Sequence, residues 1–276
     1  MIGMKVYITG DIHGDLWRLN EKNFPEQKNL TKDDVLIILG DFGVIWWNKD
    51  IIGKSSAVLK EEKDKLDWLN NRPFTTCFID GNHENHDRLD TEFPVTNFHG
   101  GKVHQIRSNV YHLMRGEIFD FDGYKFFCFG GAASHDIKDG ILRLEDYNSL
   151  EDLYADYQFG SARGFQYRID KLSWWDREMP SRAEMDNGLE NLKKNDNKID
   201  FVLTHSLPTS VLPLLGIKNG KDSLTAYFQD EVLPIIQPRN DLQIIWYSGH
   251  YHLDDWVVYQ DGLNFQIKYY DIERIL

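Results

Sequence analysis

Apolar runs that stop on a polar, metal-compatible side chain recur through the chain. Val6-Tyr7-Ile8-Thr9-Gly10 runs into Asp11, with His13 two residues on, and Val35-Leu36-Ile37-Ile38-Leu39-Gly40 runs into Asp41. Cys77-Phe78-Ile79-Asp80-Gly81 ends on Asn82 and His83, Phe201-Val202-Leu203-Thr204 on His205, and Leu242 to Gly249 on His250, with His252 following. Continuous β-branched and aromatic runs of this length predict strands buried on both faces, as in a parallel sheet. In open α/β sheets ligands gather beyond the carboxyl ends of such strands. A sheet that sets these five ends side by side therefore collects Asp, Asn and His at one edge.

The segments between the runs carry other periods. Leu16 and Leu19 predict a helix over 15–22, with Asp15 at the amino end where a carboxylate suits the helix dipole. Ser55 or Ser56 is positioned to cap a second helix through Asn70, with Leu59, Leu66 and Leu69 on one stripe and the charged 61–65 side in solvent. Pro73 stops it. From Lys102 the pattern alternates, and Asp122-Gly123 between alternating runs predicts a hairpin, as does Asp261-Gly262 between 256–260 and 263–269.

Residues 134–180 fit neither period. They hold a short acidic helix candidate at 144–157, a Gly-Ser-Ala-Arg-Gly linker at 160–164 and the pair Trp174-Trp175. An insertion this much longer than the roughly 12–15 residues of an ordinary loop, with aromatics that argue against disorder, is expected to act as a lid. Ser181-Arg182-Ala183-Glu184 after Pro180 predicts a capped helix, and a last helix is expected over 224–236, interrupted near Pro234. The expectation is one α/β domain over 1–276, built on two packed mixed sheets, with the lid-like insertion at about 134–180.

Composition narrows the class. With 276 residues, 41% hydrophobic content and eight Trp, the chain can bury a sizeable core. A formal charge of −13 offers no general basic face to nucleic acid or an anionic membrane. No apolar run approaches the roughly 20 residues of a membrane span, and no cleavable leader is visible, so a cytoplasmic protein is expected. Cys77 and Cys128 lie inside apolar runs and read as small buried hydrophobes.

Asp11-Ile12-His13-Gly14, Gly40-Asp41, Gly81-Asn82-His83-Glu84, His205 and Gly249-His250-Tyr251-His252 resemble, in order and along nearly the whole chain, the motif set of calcineurin-like metallophosphoesterases. The resemblance implies a β-sandwich flanked by helices. It implies one metal on Asp11, His13, Asp41 and His252, and a second on Asp41, Asn82, His205 and His250, with Asp41 bridging. Mixed Asp, His and Asn donors suit Mn, Fe or Zn better than Ca. The implied reaction is in-line attack of a metal-bridging hydroxide on a phosphomonoester or phosphodiester. His83 would protonate the leaving alkoxide, and Glu84 would support the loop by accepting backbone hydrogen bonds.

The protein Ser/Thr phosphatases of this superfamily continue the second motif with Asp-Arg-Gly, which supplies a phosphate-binding arginine. Here Asp41 is followed by Phe42-Gly43-Val44-Ile45-Trp46-Trp47, which weighs against that activity. A cation from the insertion is expected to substitute, with Arg143 and Arg168 preferred over Arg163 and Arg177, and His135 as a further substrate contact. His86, His99, His104 and His112 match no motif and read as ordinary polar residues. The other class, a binding module that keeps the fold without catalysis, would lose ligands or the catalytic His, and none is lost. The native metal, the substrate and the oligomeric state are not specified by the sequence.

Overall fold

The computed structural model describes residues 3–53, 56–218, 220–239, 243–259 and 263–276. Its first half lays down strands β1 (Val6–Thr9), β2 (Val35–Leu39), β3 (Thr75–Ile79), β4 (Val95–Phe98), β5 (Gly101–Arg107) and β6 (Val110–Leu113), with helices α1 (Lys49–Ile52), α2 (Ala57–Asn70) and α3 (His86–Glu92) between them. Strands β7 (Glu117–Phe121) and β8 (Tyr124–Phe129) form the hairpin around Asp122-Gly123. The insertion supplies β9 (Gly140–Leu142), α4 (Leu150–Ala162) and β10 (Tyr167–Ile169). The chain closes with α5 (Arg182–Lys194), β11 (Lys198–Ile199), β12 (Phe201–Thr204), α6 (Ser223–Tyr227), β13 (Gln237–Pro238), β14 (Ile245–Ser248), β15 (Asp255–Val258), β16 (Asn264–Ile267) and β17 (Glu273–Arg274).

Two large sheets result, in the orders β17-β1-β2-β3-β6-β5-β4 and β15-β16-β14-β12-β8-β7. Each has a parallel centre, β1-β2-β3-β6 in one and β16-β14-β12-β8 in the other, with antiparallel strands at its edges. Alternate side chains of each central strand go to different cores, which is why the runs are apolar throughout. Val6, Ile8, Ile37, Leu39, Cys77 and Ile79 face Phe119, Phe126, Cys128, Leu203 and Tyr247 between the sheets. On the outer face of the first sheet Tyr7, Leu36, Ile38 and Phe78 pack under Leu66 and Leu69 of α2. Phe127, Phe129, Val202 and Trp246 pack under Met185, Leu192, Phe228 and Val232 outside the second. The four layers are helix, sheet, sheet and helix, as expected for the sandwich.

Several local expectations are corrected. Residues 15–22 form only a 3-10 turn at Trp17–Leu19, because Asp15 and Asn20 take the following backbone N–H groups and Arg18 turns inward to donate to Thr9 Oγ1 and the Asp11 carbonyl. The helix placed at 144–157 runs Leu150–Ala162 behind an N-cap at Ser149, so residues 160–162 of the supposed linker are helical. The capping box at Ser181 forms, whereas Ser56 precedes α2 without a side-chain cap bond. The last helix forms as α6, continued by a π turn over Phe228–Val232. Ser55 and the turn at Asp261-Gly262 lie outside the described residues.

The insertion has its own small core of Leu153, Ile169 and Leu172, against which Ile51 and Ile52 of α1 pack. Strand β9 pairs in parallel with β10. Among the described residues no helix is long and apolar enough to cross a membrane.

Candidate metal centre

The carboxyl ends of β1, β2 and β3 in one sheet and of β12 and β14 in the other meet at one end of the sandwich. Asp11, His13, Asp41 and His252 bring ligand atoms within 4.8 Å of one another, and Asp41, His205 and His250 form a second such group. The first is built around Asp11 Oδ2, which lies 3.1 Å from His252 Nε2 and 3.9 Å from His13 Nε2. In the second, Asp41 Oδ1 lies 3.3 Å from His205 Nε2, while Asp41 Oδ2 faces His13 Nε2 at 3.8 Å. One carboxylate thus turns an oxygen to each group.

Second partners leave the right atoms free. His205 Nδ1 donates to the Leu39 carbonyl at 2.6 Å, which points Nε2 inward. The Asn82 amide nitrogen donates to Ser134 Oγ at 3.2 Å, leaving Oδ1 as the inward atom. Asp11 Oδ1 accepts from the His250 backbone N–H. Asp11 Oδ2, Asn82 Oδ1 and His205 Nε2 are buried and make no aligned hydrogen bond, although His252 and Asp41 stand close to the first and last of them. Three orphaned buried donor atoms of this chemistry are costly unless a cation receives them, so the residues fit divalent metal.

Tight loops hold the ligands. Among the described residues nine non-glycine positions have positive φ, and His13, Asp41, His250 and His252 are four of them. Such strain gathers where a site dictates the backbone. Gly40, at φ 89°, and Gly81 leave room for the ligands, since a Cβ on the first would enter the His205 ring and one on the second the Asp41 carboxylate.

The electrostatics follow from burial and crowding. Burial disfavours the charged His205 ring, but Asp41 and Asp11 beside it outweigh this and lift its pKa to about 9. His250 and His13 are pushed down by burial. Burial also depresses His83 to about 4, despite the opposing pull of Asp41.

The other expected residues lie as follows. The His83 ring stacks nearly parallel to Trp46, 19° between planes with centroids 5.7 Å apart, and its backbone N–H donates to Asp41 Oδ1. Glu84 is fully buried and accepts from the Phe42 and Gly43 backbones, with burial raising its pKa. Arg168 reaches the site, its Nη2 3.2 Å from His83 Nε2, while its Nε donates to Asp136. His135 Nε2 stands 3.0 Å from His250 Nε2. Arg143 is half exposed beside Asp170, Arg163 stacks over Phe159, and Arg177 pairs with Asp90 and Glu184, so none of these three is brought to the ligands.

Sequence reasoning missed Ser134, Glu178 and Arg18. Glu178 accepts from the Ser134 backbone and hydroxyl, fixing the group that orients Asn82. Arg18 holds the Asp11 carbonyl from behind. None of the three sits in a motif, so no sequence signal marked them. His86, His104 and His112 are more than scattered polar residues, since His86 and His112 flank buried Asp80 together with Arg115, and His104 bonds to His112.

No curated protein matches the chain in sequence. A family model describing calcineurin-like phosphoesterases matches residues 4–254. With nine-tenths of the chain matched and a cluster of Asp and His donors at the strand ends, the chain belongs to the calcineurin-like phosphoesterase family.

Proposed function

We propose that this chain is a dinuclear metal-dependent hydrolase of a phosphate monoester or diester. The observation that carries the reading is Asp41, whose two oxygens face His205 Nε2 and His13 Nε2 in the two donor groups. Two divalent ions, manganese, iron or zinc by the mixed donors, would supply the attacking hydroxide at neutral pH and neutralise phosphoryl charge.

The chain's own residues do the rest. As the hydroxide oxygen bonds to phosphorus and the ester P–O bond breaks, the departing oxygen takes its proton from His83 Nε2. In the free protein that nitrogen faces Arg168 Nη2, an arrangement in which His83 accepts rather than carries the proton. An incoming phosphoryl group draws the guanidinium onto its oxygens, which releases Nε2, and adds negative charge that favours the protonated ring. Residues 134–180 act in this reading as the lid that carries Arg168, His135 and Ser134 to the substrate.

A protein phosphatase is disfavoured by Phe42-Gly43 where that branch has Arg-Gly. A binding module without catalysis is disfavoured by the complete donor set. The buried free thiols Cys77 and Cys128 accord with a reducing, cytoplasmic setting. The test is metal analysis of protein purified without chelator, followed by phosphomonoester and phosphodiester panels with added manganese. Two ions per chain and chelator-sensitive turnover are expected. A metal-replete chain that hydrolyses no ester would overturn the reading.

A further inference from the structure

We infer that the leaving-group side of the site is a pocket for a planar heteroaromatic ring, so that the ester cleaved is of nucleoside type. The inference rests on the phosphoesterase reading for its chemistry and on a separate cavity for its specificity. A cavity of about 260 Å³ opens beside His83 and His13 and is walled by Trp46, Trp47, Lys65 and Glu61. A group that protonates the departing oxygen must touch it, so the alcohol half of the ester lies on the His83 side, where this cavity is.

The Trp46 ring and the Trp47 backbone are held before any ligand arrives. Trp46 stacks on the His83 ring and packs in a T-shaped pair with fully buried Trp175, 5.1 Å between centroids. The Trp47 carbonyl accepts from Arg88, whose guanidinium is paired with buried Glu62. Two indoles lining one cavity suit stacking on a flat π system. Lys65 and Glu61, 2.9 Å apart, set a donor beside an acceptor, and the edge of a nucleobase carries the complementary pair. The volume falls below the roughly 300–1,000 Å³ of pockets that enclose a whole drug-sized ligand, and fits one ring system. The net charge of −13 favours a small ester over a polyanionic strand.

The test uses the full chain with manganese. Expected are adenosine binding by calorimetry and a higher kcat/KM for adenosine 5′-monophosphate than for glycerol phosphate. Trp47→Ala should weaken adenosine binding and lower that kcat/KM ratio about 10-fold or more, with Trp47→Phe retaining most of both. Lys65→Met should lower the ratio several-fold, which keeps the test open if Trp47→Ala does not fold. Turnover of esters without adenosine binding, or ratios within twofold of the parent in both variants, would sink the pocket and spare the hydrolase. Adenosine binding that Trp47→Ala abolishes, in a chain that hydrolyses no ester, would keep the pocket and remove the reaction.

Discussion

Arg168 Nη2 lies 3.2 Å from His83 Nε2, across 85 residues of chain, while the same guanidinium is held by Asp136 and by the Ser173 carbonyl. An insertion arginine thus reaches His83 in a chain whose second motif supplies no arginine. Replacing it should cost substrate binding and leave the metal ligands untouched, because none of its contacts is to them. Arg168→Ala is expected to lower kcat/KM for a phosphomonoester about 10- to 100-fold, the range of one charge-assisted contact, with metal content unchanged. Arg143→Ala, at a half-exposed side chain 4.0 Å from Asp170, should stay within about twofold. Equal effects of the two would argue against a clamp at Arg168.

How much of this was legible depends on which interactions are local. Strands that are apolar on both faces and end on a polar side chain announce themselves, so the sandwich could be read directly, as could the Asp and His side chains that its strand ends bring together. The 3-10 turn at Trp17 could not, because Leu16 and Leu19 carry a helical spacing that Arg18 overrides by bonding inward to Thr9 and Asp11. Helix α3 was hidden for another reason. Its buried face is His86, Arg88 and Leu89, and two of these are polar, His86 lying beside Asp80 and Arg88 pairing with Glu62 of the preceding helix. Arginines 143 and 168 are equivalent as sequence; only the parallel pairing of β9 with β10 and the fold of the insertion separate them.

Asp41 is expected to control metal content. Its oxygens serve both donor groups, and an amide is a poor bridge that also removes a charge holding two dications together. Asp41→Asn should lose at least one ion and turnover with it, measured by elemental analysis beside a rate assay. Two retained ions with activity intact would refute the bridge.

The buried histidines beside Asp80 predict acid sensitivity. Burial, with Arg115 nearby, pushes the His86 pKa down to about 3, and burial with His112 pushes His104 down to about 4. Each is lower than the roughly 6.5 of an unfolded chain, so the unfolded state binds more protons between those values. The stability is therefore fully present above about pH 6.5 and is lost as pH falls toward 4 and then 3. From pH 7 to pH 5 the two should cost on the order of 2–4 kcal/mol. His86 Nε2 has no partner to lose, so His86→Leu should shrink that drop by about 1–2 kcal/mol. Urea titrations at both pH values check this, and an unchanged drop would mean that His86 does not titrate there.

His83 separates the acid from the scaffold. Its ring is held by Trp46 and faces Arg168, and its backbone N–H is tied to Asp41. His83→Ala keeps that backbone bond, so the metals should stay. What is lost is a proton donor, and a donor matters most where the departing alkoxide is most basic. For alkyl phosphates the rate should fall about 10²- to 10⁴-fold, the usual range of general acid catalysis. Aryl esters with activated leaving groups need little protonation and should fall far less, which steepens the dependence of log kcat on leaving-group pKa. The unaltered protein should show a shallow dependence across the same series. A uniform loss across the series, with the slope unchanged, would assign His83 to positioning the Asn82 loop and leave the proton to another donor.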